Sequence, residues 1–240
     1  TSRTKTVFIT HQLGIISGFG RIGDVLLRNM LYKWINRFNI CWIPDAAGDI
    51  NIAGKLSHPS SMPNHHAFIG ALSRLSKAKP LADEHLLVLL SGPEPQRTIL
   101  EKKLIEQLSN TSETVVFVRG LPSSLPLLKN IGSIRFENHL DTTALSNLLS
   151  SAKAVICRSG YSSVMDLLKL KQRALLIPTP GQTEQVYLAK HLSKQQWFVV
   201  QEQEQLNLKR GIAAVLSQNL VYPTLDFDAF KKAFADLGIQ

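Results

Sequence analysis

Short apolar runs alternate with amphipathic stretches along most of the chain from residue 86 onward. The apolar runs, rich in Leu and β-branched residues, predict six strands near 86–90, 114–119, 134–137, 153–157, 174–178 and 197–200. Stretches of helical periodicity separate most of these strands, near 96–108, 141–150, 162–170 and 183–195. Strands of nearly continuous apolar residues with helices between them are typical of a parallel sheet covered on both faces. The pattern therefore predicts an α/β fold with a doubly wound parallel sheet.

Shorter patterned regions flank this sheet. It is preceded by a strand–helix–strand unit, with strands at 6–10 and 40–44 and a helix at 22–37. This unit is too small for a separate α/β sheet and is typical of the end of another domain. Two closing helices are predicted after the last strand, at 204–217 and 226–237, the second capped by Asp226. We expect a partial N-terminal Rossmann-like domain over 1–57 and a C-terminal domain over 67–240. A linker marked by Gly, Ser and Pro joins them over 58–66.

The composition narrows the class of protein. An apolar fraction of 44% with 19% charged residues is typical of a folded globular protein. No apolar run is long enough to cross a bilayer, and the first residues lack a signal-peptide pattern. Cys41 and Cys157 are too few for a disulfide framework, so we expect a reducing cytoplasm. The chain opens without Met on a strand-like segment, which is typical of a truncated protein.

The net charge of +9, with a pI near 9.7, favours anionic partners: phosphorylated small molecules, acidic lipid headgroups or nucleic acid. Lys and Arg are spread along the chain, and no nucleic-acid-binding module is recognisable, so we expect no nucleic-acid partner. A phosphate-bearing ligand and peripheral membrane contact both remain open, as does a simple solvated basic surface.

Three loops that follow predicted strands share one character. In an open parallel sheet, ligands bind beyond the carboxyl ends of the strands. Each loop combines a glycine with polar residues before a helix, whose free N–H groups can hold phosphate, and arginine can add charge-assisted bonds. Ordinary strand-to-helix turns are the alternative for any one loop. As a set they predict a diphosphate site with the candidates Ser91, Gly92, Arg97, Arg158, Ser159, Gly160, Ser162, Ser163, Gly181, Thr183, Glu184 and Gln185.

Asp166 lies one turn into the predicted helix that follows Ser162 and Ser163. A carboxylate at that position can accept hydrogen bonds from a ribose diol. The alternative is structural, because acidic residues near helix starts complement the helix dipole.

The segments 158–166 and 177–185 together resemble the donor-site signature of glycosyltransferase family 28, a GT-B family that includes the bacterial N-acetylglucosaminyltransferases completing lipid II. The resemblance implies a UDP-sugar donor, a hydroxyl acceptor that can be lipid-linked, and inversion at the anomeric carbon. It implies that the residues from Ser159 to Ser163 lie by the diphosphate, Asp166 by the ribose, and those from Thr183 to Gln185 by the sugar, an N-acetylhexosamine. Residues 91–97 depart from the family's glycine-rich turn and place Glu94 where an anion is expected.

The pair His11-Gln12, directly after the first predicted strand, resembles the family's His-Glu or His-Gln pair on the acceptor side of the cleft. The resemblance implies a polar acceptor contact. A histidine can also act as the base that deprotonates the attacking hydroxyl. A surface histidine at a strand end is the alternative.

Two further motifs indicate other functions. Residues 18–23 match G-x-G-x-x-G, and Asp45 ends the next strand, as in an NAD-binding unit, but seven residues separate the first glycine from its strand. Asp226-Phe227-Asp228 mimics a metal-binding Asp-x-Asp pair, but its position favours a helix start. We expect no metal and no cofactor. The predicted function is a glycosyltransferase; the alternatives are a non-catalytic nucleotide-sugar-binding subunit that needs a partner, and an NAD-dependent oxidoreductase.

Overall fold

The computed structural model describes residues 4–17, 20–78 and 84–238. The chain divides into two compact units, a smaller one made of Thr1–Leu72 with Pro223–Gln240 and a larger one made of Ser73–Tyr222. None of the helices in the described ranges is long and apolar enough to cross a membrane.

The smaller unit is built on a three-stranded parallel sheet in the order β1-β2-β3. Its elements along the chain are β1 (Val7–Ile9), α1 (Gly20–Ile35), β2 (Ile40–Ile43), a 3-10 turn (Gly54–Leu56) and β3 (His66–Phe68). Leu13, Tyr32, Ile35, Cys41 and Ile43 form its core.

Helix α1 carries apolar side chains on its exposed face as well as on its buried face. It buries Tyr32 and Ile35 against the core, yet it exposes a row of apolar side chains spaced four residues apart. Side chains at that spacing lie on one face of a helix. The exposed fractions are 79% for Ile22, 60% for Leu26, 68% for Met30 and 47% for Trp34.

The larger unit is a six-stranded, all-parallel sheet in the order β6-β5-β4-β7-β8-β9. Its strands are β4 (His85–Leu89), β5 (Val115–Val118), β6 (Ile134–Glu137), β7 (Ala152–Cys157), β8 (Ala174–Leu176) and β9 (Val199–Val200). Its helices are α2 (Gln96–Leu108), α3 (Thr142–Ser151), α4 (Tyr161–Leu170), α5 (Thr183–Lys194) and α6 (Leu208–Ser217). The predicted doubly wound parallel sheet is confirmed.

The central strands are buried on both faces, as their apolar sequences require. Val115–Val118 is buried throughout, and Leu86, Val88, Phe117 and Ile156 belong to one continuous core. β-Branched and aromatic residues suit such a pleated, enclosed surface. Because β4, β7 and β8 are neighbours at the centre of the sheet, the loops after them lie at one edge.

Two features differ from the predicted division of the chain. Strand β3 begins within the predicted linker and pairs with β2, with Cys41 opposite His66. The sequence did not predict this strand because three residues are too few to show an alternating pattern. The last helix, α7 (Phe230–Asp236), groups with the smaller unit, where Ala71 N–H donates to Asp226 O at 3.0 Å. It also starts four residues later than predicted. Asp226 Oδ1 accepts from the N–H groups of Asp228 and Ala229 in a turn that precedes the helix.

Candidate functional site

Arg158 joins the three loops at the carboxyl edge of the central strands. It directly follows β7 and is 1% exposed. One terminal nitrogen of the guanidinium donates to Gln96 O at 2.8 Å, and the other to Pro178 O at 3.2 Å. Burial lowers the pKa of Arg158 to about 10. The side chain was predicted as a direct diphosphate contact, and the structure places it beneath the loops as a tie between them.

Ser159 and Gln185 fix the loops after β7 and β8 to each other. Ser159 is fully buried and its hydroxyl donates to Gln185 O at 3.0 Å. The Gln185 side-chain oxygen accepts from both the N–H and the hydroxyl of Thr179, each at 3.0 Å. Its amide nitrogen donates to Gln182 Oε1 at 2.6 Å. The loop that carries Gly181 (φ 81°) is therefore shaped by its own polar side chains.

The N-terminus of α4 carries no side-chain cap. Gly160 occupies the N-cap position with extended backbone angles, and the atom nearest to where its Cβ would stand is Ser163 Oγ at 4.0 Å. Ser162 is exposed and Ser163 is half-buried. The N-terminal N–H groups of a helix lack partners within the helix, so this end can receive an anion.

Helix α5 shares this property, and the helices after the outer strands do not. The N-cap of α5, Gln182, makes no capping bond; Thr183 is exposed and Glu184 is half-buried in its first turn. In contrast, Asp141 caps α3 by accepting from Ala144 N–H, and Asn207 caps α6 by accepting from Arg210 N–H. The uncapped ends therefore belong to helices at the centre of the sheet, where a ligand is expected to bind.

In the loop after β4, the carboxylate of Glu94 accepts hydrogen bonds from the first turn of α2. Glu94 Oε1 accepts from Arg97 Nε at 2.6 Å, and Glu94 Oε2 accepts from Thr98 N–H at 3.2 Å, in the first turn of α2. Arg97, 6% exposed, also pairs with the buried Glu101. Arg97 was predicted to contact a diphosphate, and the structure directs its guanidinium to these two carboxylates. Ser91 and Gly92 (φ 100°) are exposed.

Asp166 lies in the sixth position of α4, one turn into the helix, as its place in the sequence predicted. Its Oδ1 accepts from the hydroxyl of Ser73 at 2.6 Å. Burial raises the pKa of Asp166, while the hydrogen bond from Ser73 and the charge of Arg74 act in the opposite direction. A half-buried carboxylate held by one hydroxyl keeps further capacity to accept hydrogen bonds.

His11 lies in the smaller unit, two residues after β1, and is half-buried. The chain after it is held close to the 3-10 turn, because Leu13 and Gly14 both donate their N–H groups to Leu56 O, at 2.8 and 2.7 Å. A Cβ on Gly14 would stand 2.1 Å from Lys55 O, so only glycine permits this approach.

The features that indicated NAD or metal binding have structural roles where they are described. Gly18 and Phe19 lie outside the described residues. Asp45 is fully buried and accepts from the N–H groups of Ala46, Ile52 and Ala53 and from the Ser57 hydroxyl, so its carboxylate is committed to its own loop. Within residues 4–17, 20–78 and 84–238, no three His, Cys, Asp or Glu side chains cluster as metal ligands.

Sequence reasoning missed Ser73 and Thr179 as members of this edge. Ser73 is 93 positions from Asp166 and carries no motif that could have marked it. Thr179 lies within the segment 177–185, but nothing in the sequence showed that Thr179, rather than a neighbouring residue, contacts the side chain of Gln185.

Residues 128–237 match the family model of the glycosyltransferase family 28 C-terminal domain. The match is slightly less than half of the chain. It includes both loops with uncapped helices, after β7 and β8, and excludes the loop that Glu94 occupies. No curated protein matches the chain at a significant level.

Solved glycosyltransferases have the same fold. The glycotransferase of kitacinnamycin superposes with a TM-score of 0.58 at 12% identity, over 77% of this chain and 48% of that one. The spinosyn forosaminyltransferase SpnP superposes with a TM-score of 0.56 at 10% identity, over 97% of this chain and 65% of that one. The calicheamicin glycosyltransferase CalG4 superposes with a TM-score of 0.55 at 13% identity, over 90% of this chain and 60% of that one. The fold is therefore of the GT-B type, and this chain spans about half to two thirds of the length of these proteins.

Proposed function

We propose that this chain is the donor-binding part of a glycosyltransferase that transfers a sugar from a UDP-sugar to an acceptor hydroxyl without a metal ion. The observation that carries the proposal is the pair of uncapped helices, α4 and α5, at the centre of a parallel sheet, within the segment that matches the family 28 domain. The larger unit is assigned to the donor, and the smaller unit to the acceptor side.

In this proposal the diphosphate lies at the N-termini of α4 and α5. The leaving UDP gains negative charge as the bond to the anomeric carbon breaks. The N–H groups around Gly160, with the hydroxyls of Ser162 and Ser163, can stabilise that charge because they are already oriented. Arg158 and Ser159 act as positioning residues, since both side chains are buried and bonded to the loops. Ser91 and Gly92 remain candidate contacts from the third loop.

Asp166 accepts the ribose hydroxyls in this arrangement. Its bond to Ser73 orients the carboxylate and leaves lone pairs for the nucleoside. Thr183 and Glu184, in the first turn of α5, contact the sugar, which we propose is an N-acetylhexosamine. Gln185 holds the turn at Thr179 through its side chain.

On the acceptor side, His11 takes the proton of the attacking hydroxyl. Direct displacement at the anomeric carbon inverts its configuration, and the proton leaves to the imidazole as the new C–O bond forms and the bond to UDP breaks. A histidine is suited to this step because the unprotonated nitrogen of an imidazole can accept a proton from a hydroxyl within hydrogen-bond reach.

Isothermal titration of the chain with UDP tests the donor site. We expect saturable binding that is specific against GDP and NAD, and a loss of about tenfold or more in affinity in Asp166→Ala, since a charge-assisted hydrogen bond contributes about 1.5–3 kcal/mol. The matched control is Glu106→Ala, which removes an exposed carboxylate from α2 in the same unit. Equal affinities of the Asp166 and Glu106 variants would remove Asp166 from the site.

A second candidate is a nucleotide-sugar-binding subunit without activity of its own. It is favoured by the location of the donor-side candidates, which all lie within the larger unit. UDP-sugar hydrolysis or transfer to simple acceptors, measured on a chain that binds UDP, separates the two. Turnover supports the enzyme, and tight binding without turnover supports the subunit.

A further inference from the structure

Helix α1 exposes more large apolar side chains than any other helix in the described ranges. The row noted above, called the apolar row from here on, consists of Ile22, Leu26, Met30 and Trp34. Val25 and Leu27 flank it and are 37% and 39% exposed. Helices α2 and α6 expose one such side chain each, Ile99 and Leu216. Single exposed apolar residues are ordinary, whereas a contiguous apolar patch marks an interaction surface.

The exposed charges on and next to α1 are all positive. Between positions 20 and 39, the exposed charged residues are Arg21, Lys33 and Arg37. Lys33 shares the face of the apolar row, because it follows Leu26 by seven residues, or two turns. Asp24, the single acidic residue of this segment, is half-buried and accepts hydrogen bonds from the N–H and the hydroxyl of Ser17. The exposed surface of α1 therefore combines apolar side chains with positive charge and carries no exposed carboxylate.

Trp34 ends the apolar row near the C-terminus of α1. Its ring contacts those of Phe8 and Phe38, with centroids 4.9 and 5.3 Å away, and the residue remains 47% exposed. A tryptophan that is held on one side and exposed on the other suits the boundary between lipid headgroups and acyl chains. From Ile22 to Trp34 the row is about 18 Å long, at a rise of 1.5 Å per residue.

A second copy of the chain fits this face less well than an anionic surface does. In a two-fold dimer the same patch contacts itself. The positive charges of Lys33 and Arg37 would then come together with those of the partner, without an exposed carboxylate of α1 to pair with. An anionic surface compensates these charges and also receives the apolar row.

We propose that the exposed face of α1 binds the surface of an anionic phospholipid bilayer. The helix lies in the plane of the bilayer, with the apolar row inserted at the boundary of the acyl chains and Lys33 and Arg37 extended to the phosphates. The net charge left membrane contact open in the sequence, and α1 supplies a surface for it. The proposal involves smaller-unit residues alone and does not depend on the donor assignment.

Co-sedimentation of the full chain with lipid vesicles tests this proposal. Vesicles of phosphatidylcholine mixed with phosphatidylglycerol should bind the protein more tightly than phosphatidylcholine alone, and added salt should weaken that binding. The double variant Leu26→Gln, Met30→Gln should bind about tenfold more weakly or less, since two inserted side chains are lost. Lys33→Gln should lose about fivefold, which corresponds to about 1 kcal/mol per cation at an anionic surface. The matched controls Ile99→Gln and Lys102→Gln change exposed residues of α2 and should leave binding unchanged.

Fluorescence gives a second readout, because Trp34 is the exposed member of the three tryptophans. Trp42 and Trp197 are 3% and 5% exposed. Phosphatidylcholine with brominated acyl chains, mixed into the anionic vesicles, should quench the emission of Trp34. The variant Trp34→Phe should remove this quenching while co-sedimentation persists.

Equal binding to anionic and neutral vesicles would overturn the proposal, as would equal binding by the double variant and Ile99→Gln. A native mass that falls from dimer to monomer in the double variant, measured by light scattering, would also overturn it, because the row would then join two copies. The double variant should fold, since both positions are exposed and Gln favours a helix. Its UDP affinity should be unchanged, so failure here is distinct from failure of the donor site.

Discussion

At the scale of single residues, Arg158 illustrates what sequence can and cannot predict. Its place in the signature from Arg158 to Asp166 predicts a loop at the carboxyl end of a strand, and Arg158 does follow β7. The pattern could not say whether the guanidinium faces a ligand or the protein. The structure buries it against the carbonyls of Gln96 and Pro178, which lie 62 and 20 positions away along the chain. Such long-range contacts depend on the packing of the whole sheet and leave no local signal.

The carboxylate of Asp166 gives a pH-dependent prediction. Burial raises its pKa in the folded state above the ordinary value of 3.8, so the folded protein disfavours the ionised form. Well above both pKa values the carboxylate is ionised and costs stability. Asp166→Asn removes that cost and keeps an oxygen for Ser73, so we expect a higher free energy of unfolding at pH 7, measured by urea denaturation.

The gain disappears as the pH falls below 3.8, because the carboxyl is then protonated in the folded and the unfolded state alike. The same variant should bind UDP more weakly, which would make the carboxylate a functional group kept at a cost in stability. A variant that is less stable than the original protein at pH 7 would contradict this account.

At the scale of elements, the helices differ by their caps. The side chain of Asp141 closes the N-terminus of α3, whereas Gln182 makes no such bond at α5. Asp141→Ala should therefore lower the free energy of unfolding by about 1 kcal/mol, the usual value of an N-cap. The matched substitution Thr143→Ala removes an exposed side chain from the first turn of the same helix and should not lower it, because Ala favours a helix. Equal losses in the two variants would contradict the cap that Asp141 provides to α3.

The elements themselves were largely predictable. Helix α2 occupies 96–108 as predicted, and each of the six strands of the larger sheet lies within or overlaps its predicted range. Long apolar runs and helical periodicity carry strong local signals. Strand β3 was missed because its three residues follow a segment rich in Gly, Ser and Pro. The start of α7 was misplaced because Asp226 caps a turn with the same hydrogen bonds that it would use to cap a helix.

At the scale of the whole molecule, the final segment belongs with the first. Residues 223–238 group with the smaller unit, where Phe234 contacts Trp42 with ring centroids 5.1 Å apart. Gly70 adopts a positive φ of 75°, and a Cβ there would stand 2.4 Å from Asp226 O. The sequence predicted a closing helix but not the unit that it joins, because helical periodicity does not specify a partner.

Truncation after Tyr222 tests this grouping. We expect backbone amides of β1, β2 and β3 to exchange hydrogen faster, since the unit loses contacts at Trp42 and Ala71, while those of β4 to β9 keep their protection. Hydrogen exchange with mass spectrometry measures both sets at once. The control Lys231→Ala changes only an exposed side chain of α7 and should leave both sets unchanged. Loss of protection confined to the larger sheet would contradict the division into units.

The same grouping sets an order of events on the ribosome. The smaller unit begins to emerge first, but its last helix is synthesised only after every residue of the larger unit. At about 5–20 residues per second, translation of the intervening segment takes on the order of ten seconds. During that interval β1, β2 and β3 exist without α7, while the strands of the larger sheet are still being synthesised. The strands of the smaller unit therefore receive their last helix only after the whole of the larger unit has been translated.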